Sequence, residues 1–110
     1  MKDIAFCGRS LEVRRSFPAA AKREAGYQLD RVRNGFEPTD WKPMSSIGSG
    51  VREIRIMHEG QFRVIYIAKF AKAVYVLHAF EKKTQKTRKQ DIDAAKQALK
   101  QLLQRGMSDE

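Results

Sequence analysis

The feature that most constrains the fold is a change in the spacing of apolar residues at Val51. Before this residue apolar side chains recur every three or four positions, whereas after it a two-residue period begins, with rows at Ile54 and Ile56 and at Phe62, Val64 and Tyr66. Alternation of this kind predicts β-strands with one buried face. We therefore predict strands at Val51–Met57 and 62–68, joined by a tight turn at 58–61. The nearly continuous apolar run at 73–80 predicts a third strand in the centre of the sheet.

The spacing before this region predicts two helices. Ser10 is a candidate cap for a short first helix, and Pro18 suits the first turn of a second. Asn34-Gly35 is typical of a helix C-terminus. The apolar face of the second helix consists of Ala21, Ala25, Leu29 and Val32.

A third helix is predicted at the C-terminal end of the chain. Thr87 and Gln90 match a capping box, which predicts that the helix starts there, and Gly106 is suited to ending it. Its buried stripe is predicted to consist of Ile92, Ala95, Leu99, Leu102 and Leu103.

With a short first strand at 2–7, the predicted order is β-α-α-β-β-β-α. This order predicts an α+β fold with an antiparallel sheet, helices packed on one face, and the other face open. The 110 residues suit a single domain, placed at 1–106 and followed by a flexible tail at 107–110. Residues 36–50 are predicted to form a turn-rich connector that Trp41 and Met44 attach to the core.

The charge balance indicates a polyanionic partner. Lys and Arg number 22 against 13 acidic residues, which gives a formal charge of +9 at pH 7. Such a field attracts nucleic acid or an acidic protein, although lysine-covered helices of a soluble protein are the alternative. Cys7 is the only cysteine, so an intramolecular disulfide is excluded. Because no signal peptide or run of about 20 apolar residues is found, we expect a cytoplasmic protein without membrane contact.

Strand alternation brings several charged residues to the open face of the predicted sheet. Glu53 and Arg55 point away from the helices, and Arg63 lies on the same face between isoleucines. An arginine in that setting needs an anion or a carboxylate as partner. The alternative is a structural salt bridge between Arg63 and Glu53 that braces the hairpin, and the two interpretations are compatible.

A basic run follows the central strand at 80–89, where five of ten residues are Lys or Arg. The run lies between a strand end and a helix N-terminus, whose backbone N–H groups favour anions. A solvated loop is the alternative interpretation. The residues predicted to contact RNA are Lys42, Arg52, Lys83, Lys86, Arg88 and Lys89.

Cations without clustered carboxylates suit one reaction, the attack of a ribose 2′-OH on its neighbouring phosphate. The chain has no glycine-rich phosphate loop and its acids are scattered, so we expect neither a metal nor another cofactor. Arg55 and Arg63 are predicted to neutralise the developing charge. Glu53 is the predicted base, and Lys82 or its neighbour the predicted acid.

Both histidines are weaker candidates. His58 falls in the predicted turn, where solvent exposure is expected, and His78 falls in the row of Val74, Val76 and Phe80, where a hydrogen-bonded core histidine is expected.

Four segments in this order resemble the RelE-like superfamily of toxins, specifically its phage-derived, HigB-like branch. They are DWKPM at 40–44, GVREIRI at 50–56, FRVIY at 62–66 and VYVLHAFEKKTQKT at 74–87. By position, the resemblance carries the family's functional cations onto Arg55, Arg63 and Lys82. Two departures stand out, since no Tyr, His or Trp follows His78 and Arg88 replaces a frequent proline.

The resemblance implies a toxin that enters the ribosomal A site and cleaves the mRNA there. It also implies a HigA-like, helix-turn-helix antitoxin as partner, so that DNA is contacted only through the antitoxin. A non-catalytic RNA- or ribosome-binding module is the alternative, because phosphate affinity requires the same cations as catalysis. A DNA-binding regulator is disfavoured, since no pair of helices has a helix-turn-helix layout.

Overall fold

The computed structural model describes residues 1–106, in which three helices and five strands form the α+β fold that was predicted. The predicted tail at 107–110 lies outside the described residues. One five-stranded sheet has the strand order β1-β5-β4-β3-β2. The elements are β1 (Asp3–Phe6), α1 (Ser10–Arg15), α2 (Ala19–Arg33), β2 (Trp41–Pro43), β3 (Val51–Met57), β4 (Gln61–Ile67), β5 (Ala73–Glu81) and α3 (Lys89–Gln104).

Both edges of the sheet differ from the prediction. β2 lies in the predicted connector and pairs antiparallel with β3, with Trp41 opposite Ile54. Three residues that include a proline are too few for an alternating pattern, so the sequence did not predict this strand. At the other edge β1 pairs parallel with β5, with Asp3 opposite Ala73, and the sheet is therefore mixed rather than antiparallel. The α1–α2 segment carries the chain across the sheet between these edges.

Helices cover both faces of the sheet, and the prediction of one open face is wrong. α1 and α2 pack against the face that includes Ile54, Val64 and Tyr66. α3 packs against the opposite face, which includes Ile65 and Ile67. β4 is apolar on both faces, and such a strand requires cover on both sides. The end of the hairpin beyond α3 leaves side chains of this second face exposed, among them Met57.

A bulge in β5 explains why one predicted row of side chains is wrong. Ile65 pairs with His78 but Tyr66 pairs with Val76, so Leu77 is an extra residue. Beyond the bulge, His78 and Phe80 lie on the α3 face rather than in the row of Val76. His78 Nε2 lies 2.8 Å from Asp91 Oδ1 of α3, so the histidine has the partner that was expected for it.

The helix ends are only partly as predicted. α2 ends as expected, because Gly35 has φ 91° and the N–H of Phe36 donates to the carbonyl of Arg31. The predicted capping box is wrong, since α3 begins at Lys89 without a side-chain cap.

Two further residues depart from their predicted places in the helices. Ser10 lies inside α1 rather than capping it, and its hydroxyl donates to the carbonyl of Val76. Leu103 is 43% exposed and does not belong to the buried stripe of α3.

Candidate functional site

The charged residues of the hairpin gather on the α3 face, at the end that α3 leaves uncovered. Arg55 of β3 lies directly opposite Arg63 of β4, and Glu53 lies opposite Ile65. Two arginines in one cross-strand pair repel each other unless anionic groups compensate them. The sequence therefore predicted correctly that these three side chains share a face.

A buried carboxylate lies beneath Arg63. Glu53 is 0% exposed and Arg63 only 6%, and Glu53 Oε1 lies 3.7 Å from Arg63 Nε. Lys42 of β2 approaches the same oxygen, with its Nζ 3.9 Å away. Within residues 1–106 neither oxygen of Glu53 has a hydrogen-bond partner. The salt bridge considered from the sequence is thus present, and Lys42 extends it to a charged triad.

The guanidinium of Arg63 is held in place by further acceptors. Nη2 donates to Gln61 Oε1 at 2.9 Å, and Nη1 donates to the carbonyl of Phe62 at 3.1 Å. Burial lowers the pKa of Arg63, the charge of Glu53 opposes this effect, and the charge of Arg55 adds to it. An arginine stays charged under such conditions, so the protein holds a partly desolvated cation in a fixed orientation.

Arg55 has a different partner, one that the sequence reasoning missed. Its Nε lies 3.0 Å from Asp40 Oδ1, and its backbone N–H donates to the carbonyl of Asp40. A cavity of about 350 Å³ opens here, lined by Asp40, Arg55, Met57 and Arg63 among others. Asp40 comes directly before β2, so only the pairing of β2 with β3 could have indicated its place.

Lys82 follows β5 and borders the same cluster of cations. Its backbone N–H donates to the carbonyl of Gln61 at 2.7 Å. Partial burial lowers the pKa of Lys82, and the charge of Arg63 lowers it further, with smaller contributions from Lys42 and Arg55 that Glu53 opposes. A second cavity, of about 480 Å³, is lined by Gln61, Lys82, Lys83, Thr84 and Gln85.

The remaining predicted RNA contacts lie outside these two cavities. Arg52 is on the opposite face of the sheet. Its guanidinium carbon lies 4.1 Å from the centroid of the Trp41 ring, and its Nη1 lies 3.4 Å from Glu37 Oε2. Because successive residues of a strand face opposite ways, Arg52 and Arg55, three positions apart, lie on opposite faces, and Arg52 cannot join the cluster of Arg55. In the loop and at the start of α3, Lys86, Arg88 and Lys89 are exposed, and Lys89 pairs with Asp93.

In the range 1–106, His, Cys, Asp and Glu nowhere form a group of three or more that could hold a metal ion. Within the same range, none of the helices is long and apolar enough to cross a membrane.

A comparison with protein families identifies the chain. The model of the family described as "Phage derived protein Gp49-like (DUF891)" matches residues 13–100, which contain every charged residue of the cluster. The chain belongs to the Gp49-like family. This family is linked to the toxins of toxin–antitoxin systems and is RelE/HigB-like, so the resemblance seen in the sequence is confirmed at this level. Membership also implies an antitoxin partner. No curated protein matches the chain significantly.

Proposed function

We propose that this Gp49-like protein is a toxin of the HigB-like branch, with a RelE-like arrangement of its elements, that cleaves mRNA in the ribosomal A site. The observation that carries the proposal is the convergence of Arg55, Arg63 and Lys82 beside two cavities, with Arg63 fixed over a buried carboxylate. Family membership supports the toxin assignment, and the formal charge of +9 supports an RNA substrate.

The proposed reaction needs neither a metal nor a cofactor, because RNA supplies its own nucleophile. The 2′-oxygen attacks the adjacent phosphorus while the bond from phosphorus to the 5′-oxygen breaks. The products are a 2′,3′-cyclic phosphate and a free 5′-hydroxyl. One proton leaves the 2′-hydroxyl and one is added to the departing 5′-oxygen, so the protein must align the groups, stabilise negative charge and transfer two protons.

The cations of the cluster have distinct proposed roles. Arg63 cannot reorient easily, because Gln61, Phe62 and Glu53 fix its guanidinium, and a preorganised donor of this kind stabilises the charge that develops on the phosphate. Arg55, with its side chain 40% exposed, contributes a second positive charge. Lys82 is the proposed acid, since its lowered pKa favours transfer of a proton to the 5′-oxygen.

The buried position of Glu53 changes its proposed role from base to positioning residue. A carboxylate with no exposed surface cannot reach a 2′-hydroxyl, but it orients Arg63 and draws Lys42 toward the cluster. Asp40 is better suited as the base, because its side chain is 58% exposed and lines the same cavity as Arg55 and Arg63.

The proposed setting is the cytoplasm, where the toxin meets translating ribosomes. Its antitoxin is proposed to be a HigA-like helix-turn-helix protein, so that the complex contacts DNA only through the antitoxin. Lys83, Lys86, Arg88 and Lys89 are proposed to contact ribosomal RNA or mRNA phosphates, because these exposed side chains lie in the short, mainly basic segment that follows Lys82.

Primer extension on mRNA held in purified, programmed ribosomes tests the cleavage. The wild-type protein is expected to cut within the A-site codon and leave a 2′,3′-cyclic phosphate. Arg55→Met and Lys82→Met are each expected to reduce the cleavage rate by about 10²–10³-fold, the usual effect of removing one transition-state donor. Both positions are partly exposed, so these variants are expected to fold.

Arg52→Met is the matched control, because it removes an arginine from the same strand on the opposite face. It is expected to cleave at a rate within about threefold of the wild type, consistent with surface substitutions away from a site. If the wild-type protein binds programmed ribosomes and blocks translation but leaves the mRNA intact, the proposal is wrong and the protein is a non-catalytic ribosome-binding module.

A further inference from the structure

A hydrogen bond between His78 and Asp91 closes the basic loop at 82–88. His78 lies in β5 four residues before Lys82, and Asp91 is the third residue of α3. His78 Nε2 lies 2.8 Å from Asp91 Oδ1. An ionised carboxylate can only accept, so the imidazole donates from Nε2, and it does so whether it is neutral or protonated. The bond thus ties the strand before the loop directly to the helix after it.

Side-chain burial contributes little to holding the loop in place. Five of its seven residues are exposed, and the other two, Lys82 and Thr87, are half-buried. At the start of the loop the N–H of Lys82 donates to the carbonyl of Gln61 at 2.7 Å. A surface segment with few buried contacts opens at little cost in free energy unless its ends are fixed. The His78–Asp91 bond supplies the polar contact that fixes the other end.

His78 is also aligned with the charged cluster. Its ring stacks on that of Phe80, with the centroids 5.5 Å apart and the planes at 23°, and Phe80 lies directly opposite Arg63. Because side chains two positions apart point to one face, Lys82 continues the row of His78 and Phe80. Burial lowers the pKa of Lys82, and the charge of Arg63 lowers it further, which requires that the ammonium stay at this place.

We propose that His78 and Asp91 are positioning residues for cleavage, and that their hydrogen bond holds the basic loop so that the ammonium of Lys82 stays beside Arg63. The inference rests on the proposed function, because it assigns to this pair the placement of the proposed acid. The side chains of His78 and Asp91 are only 19% and 14% exposed, and neither needs to contact RNA. A displacement of about 1 Å caused by a substitution far from the reacting atoms can lower a rate by about 10²-fold.

Two substitutions of His78 separate hydrogen bonding from ring packing. His78→Phe keeps a ring to stack on Phe80 but has no donor for Asp91, whereas His78→Gln keeps an N–H donor but no ring. Both variants are expected to fold, because Ile92 and Ala95 still pack α3 against the sheet.

Single-turnover cleavage on programmed ribosomes compares the two variants. His78→Phe is expected to lower the maximal rate by about tenfold or more. Its half-saturating concentration is expected to stay within about threefold of the wild-type value, since the pair acts on the reaction rather than on binding. His78→Gln is expected to recover most of the wild-type rate. If His78→Gln is slower than His78→Phe, ring packing rather than the hydrogen bond matters, and the inference is wrong.

Two further variants test whether the loss belongs to this bond. His78→Phe and Asp91→Ala remove the same interaction, so the double variant is expected to be as slow as either single variant. Asp93→Ala is the matched control, because it removes a carboxylate from the same helix, at an exposed pair with Lys89. It is expected to cleave within about threefold of the wild-type rate. Additive losses in the double variant, or an equal loss in Asp93→Ala, contradict the inference.

The position of Lys82 can also be measured without ribosomes. Full-length protein labelled with carbon-13 at the lysine ε carbons is titrated with base, and NMR gives the pKa of Lys82. This pKa is expected to rise toward the usual lysine range in His78→Phe, because the ammonium leaves the half-buried place beside Arg63. It is expected to stay low in His78→Gln and in Asp93→Ala.

This titration separates the inference from the proposed function. An unchanged pKa of Lys82 in His78→Phe overturns the inference, even if the wild-type protein cleaves mRNA. A pKa that rises in His78→Phe alone supports the placement of Lys82 by the pair, even if the wild-type protein leaves mRNA intact and the proposed function fails.

Discussion

The two faces of the β3–β4 hairpin carry arginines that differ in burial and in the groups they contact. Arg63 on the α3 face is 6% exposed, lies over a carboxylate with no exposed surface, and has its pKa lowered mainly by burial. Arg52 on the other face has a side chain 37% exposed and lies between the Trp41 ring and Glu37 at the surface. Desolvation makes the first arginine a strong and fixed electrostatic group, whereas water and a π face stabilise the second. The burial and the partners of an arginine therefore decide its chemical role more than the net positive charge of the chain does.

The largest expected difference between the faces concerns folding stability. Glu53→Leu leaves Arg63 buried beside Arg55 and Lys42, and Arg63→Leu leaves Glu53 with only Lys42. Each single variant is expected to lose about 3–5 kcal/mol of unfolding free energy, because an uncompensated charge stays buried. The double variant is expected to recover most of this loss, since leucines of similar volume suit the neighbouring isoleucines. Urea denaturation monitored by Trp41 fluorescence gives the values.

Arg52→Leu is the control for this cycle and is expected to change the unfolding free energy by about 1 kcal/mol or less. If Glu53→Leu alone lowers the unfolding free energy as little as Arg52→Leu does, the charges of Glu53, Arg63 and Lys42 do not stabilise one another. In that case Arg63 would be no better fixed than Arg52, and the contrast between the two faces would disappear.

The core of the fold could be predicted from local pattern, and its edges could not. β3 spans Val51–Met57 as predicted, because Ile54 and Ile56 alternate there with charged residues and a two-residue period defines both the element and its faces. β2 and the parallel pairing of β1 depend on partners distant in the chain, which leave no periodic signal. The bulge at Leu77 is also unmarked in the sequence, and it moved His78 to the opposite face.

The candidate site was predicted to a similar extent. Arg55 and Arg63 share a face because alternation requires it, but the complete burial of Glu53 could not be predicted from a polar position in the pattern. Asp40 and Gln61 were missed for a different reason. Each matters through one contact with an arginine, and such contacts depend on side-chain conformations that tertiary packing selects.

The next effect in size concerns the pH dependence of cleavage. Lys82 must be protonated to act as the acid, so the rate is expected to fall at alkaline pH by about tenfold per pH unit above its pKa. That pKa is lowered by burial and by neighbouring cations, so the fall begins below the usual range for lysine. Lys42→Gln removes one of these cations and is expected to move the fall to higher pH. Single-turnover cleavage on ribosomes, measured from neutral pH to the highest pH at which the ribosomes stay intact, gives the shift.

Lys69→Gln is the matched control, because Lys69 is a lysine that does not contribute to the pKa of Lys82. It is expected to leave the pH profile unchanged. A profile that does not move in Lys42→Gln, or that moves equally in both variants, would mean that the alkaline fall does not report on Lys82.

The smallest expected effect concerns the opposite face, where Arg52 is replaced by methionine. The variant loses the cation–π contact with Trp41 and is expected to be destabilised by about 0.5–1 kcal/mol. The substitution also changes the pKa of the neighbouring Tyr66 phenol. Burial raises this pKa, and the guanidinium of Arg52 lowers it. Removing the cation disfavours the phenolate, so the pKa of Tyr66 is expected to rise in Arg52→Met and to stay unchanged in Arg55→Met. Carbon-13 NMR of the tyrosine ζ carbons during a pH titration measures this shift, and an equal response of Tyr66 to both variants would show that the sheet does not separate the two arginine environments.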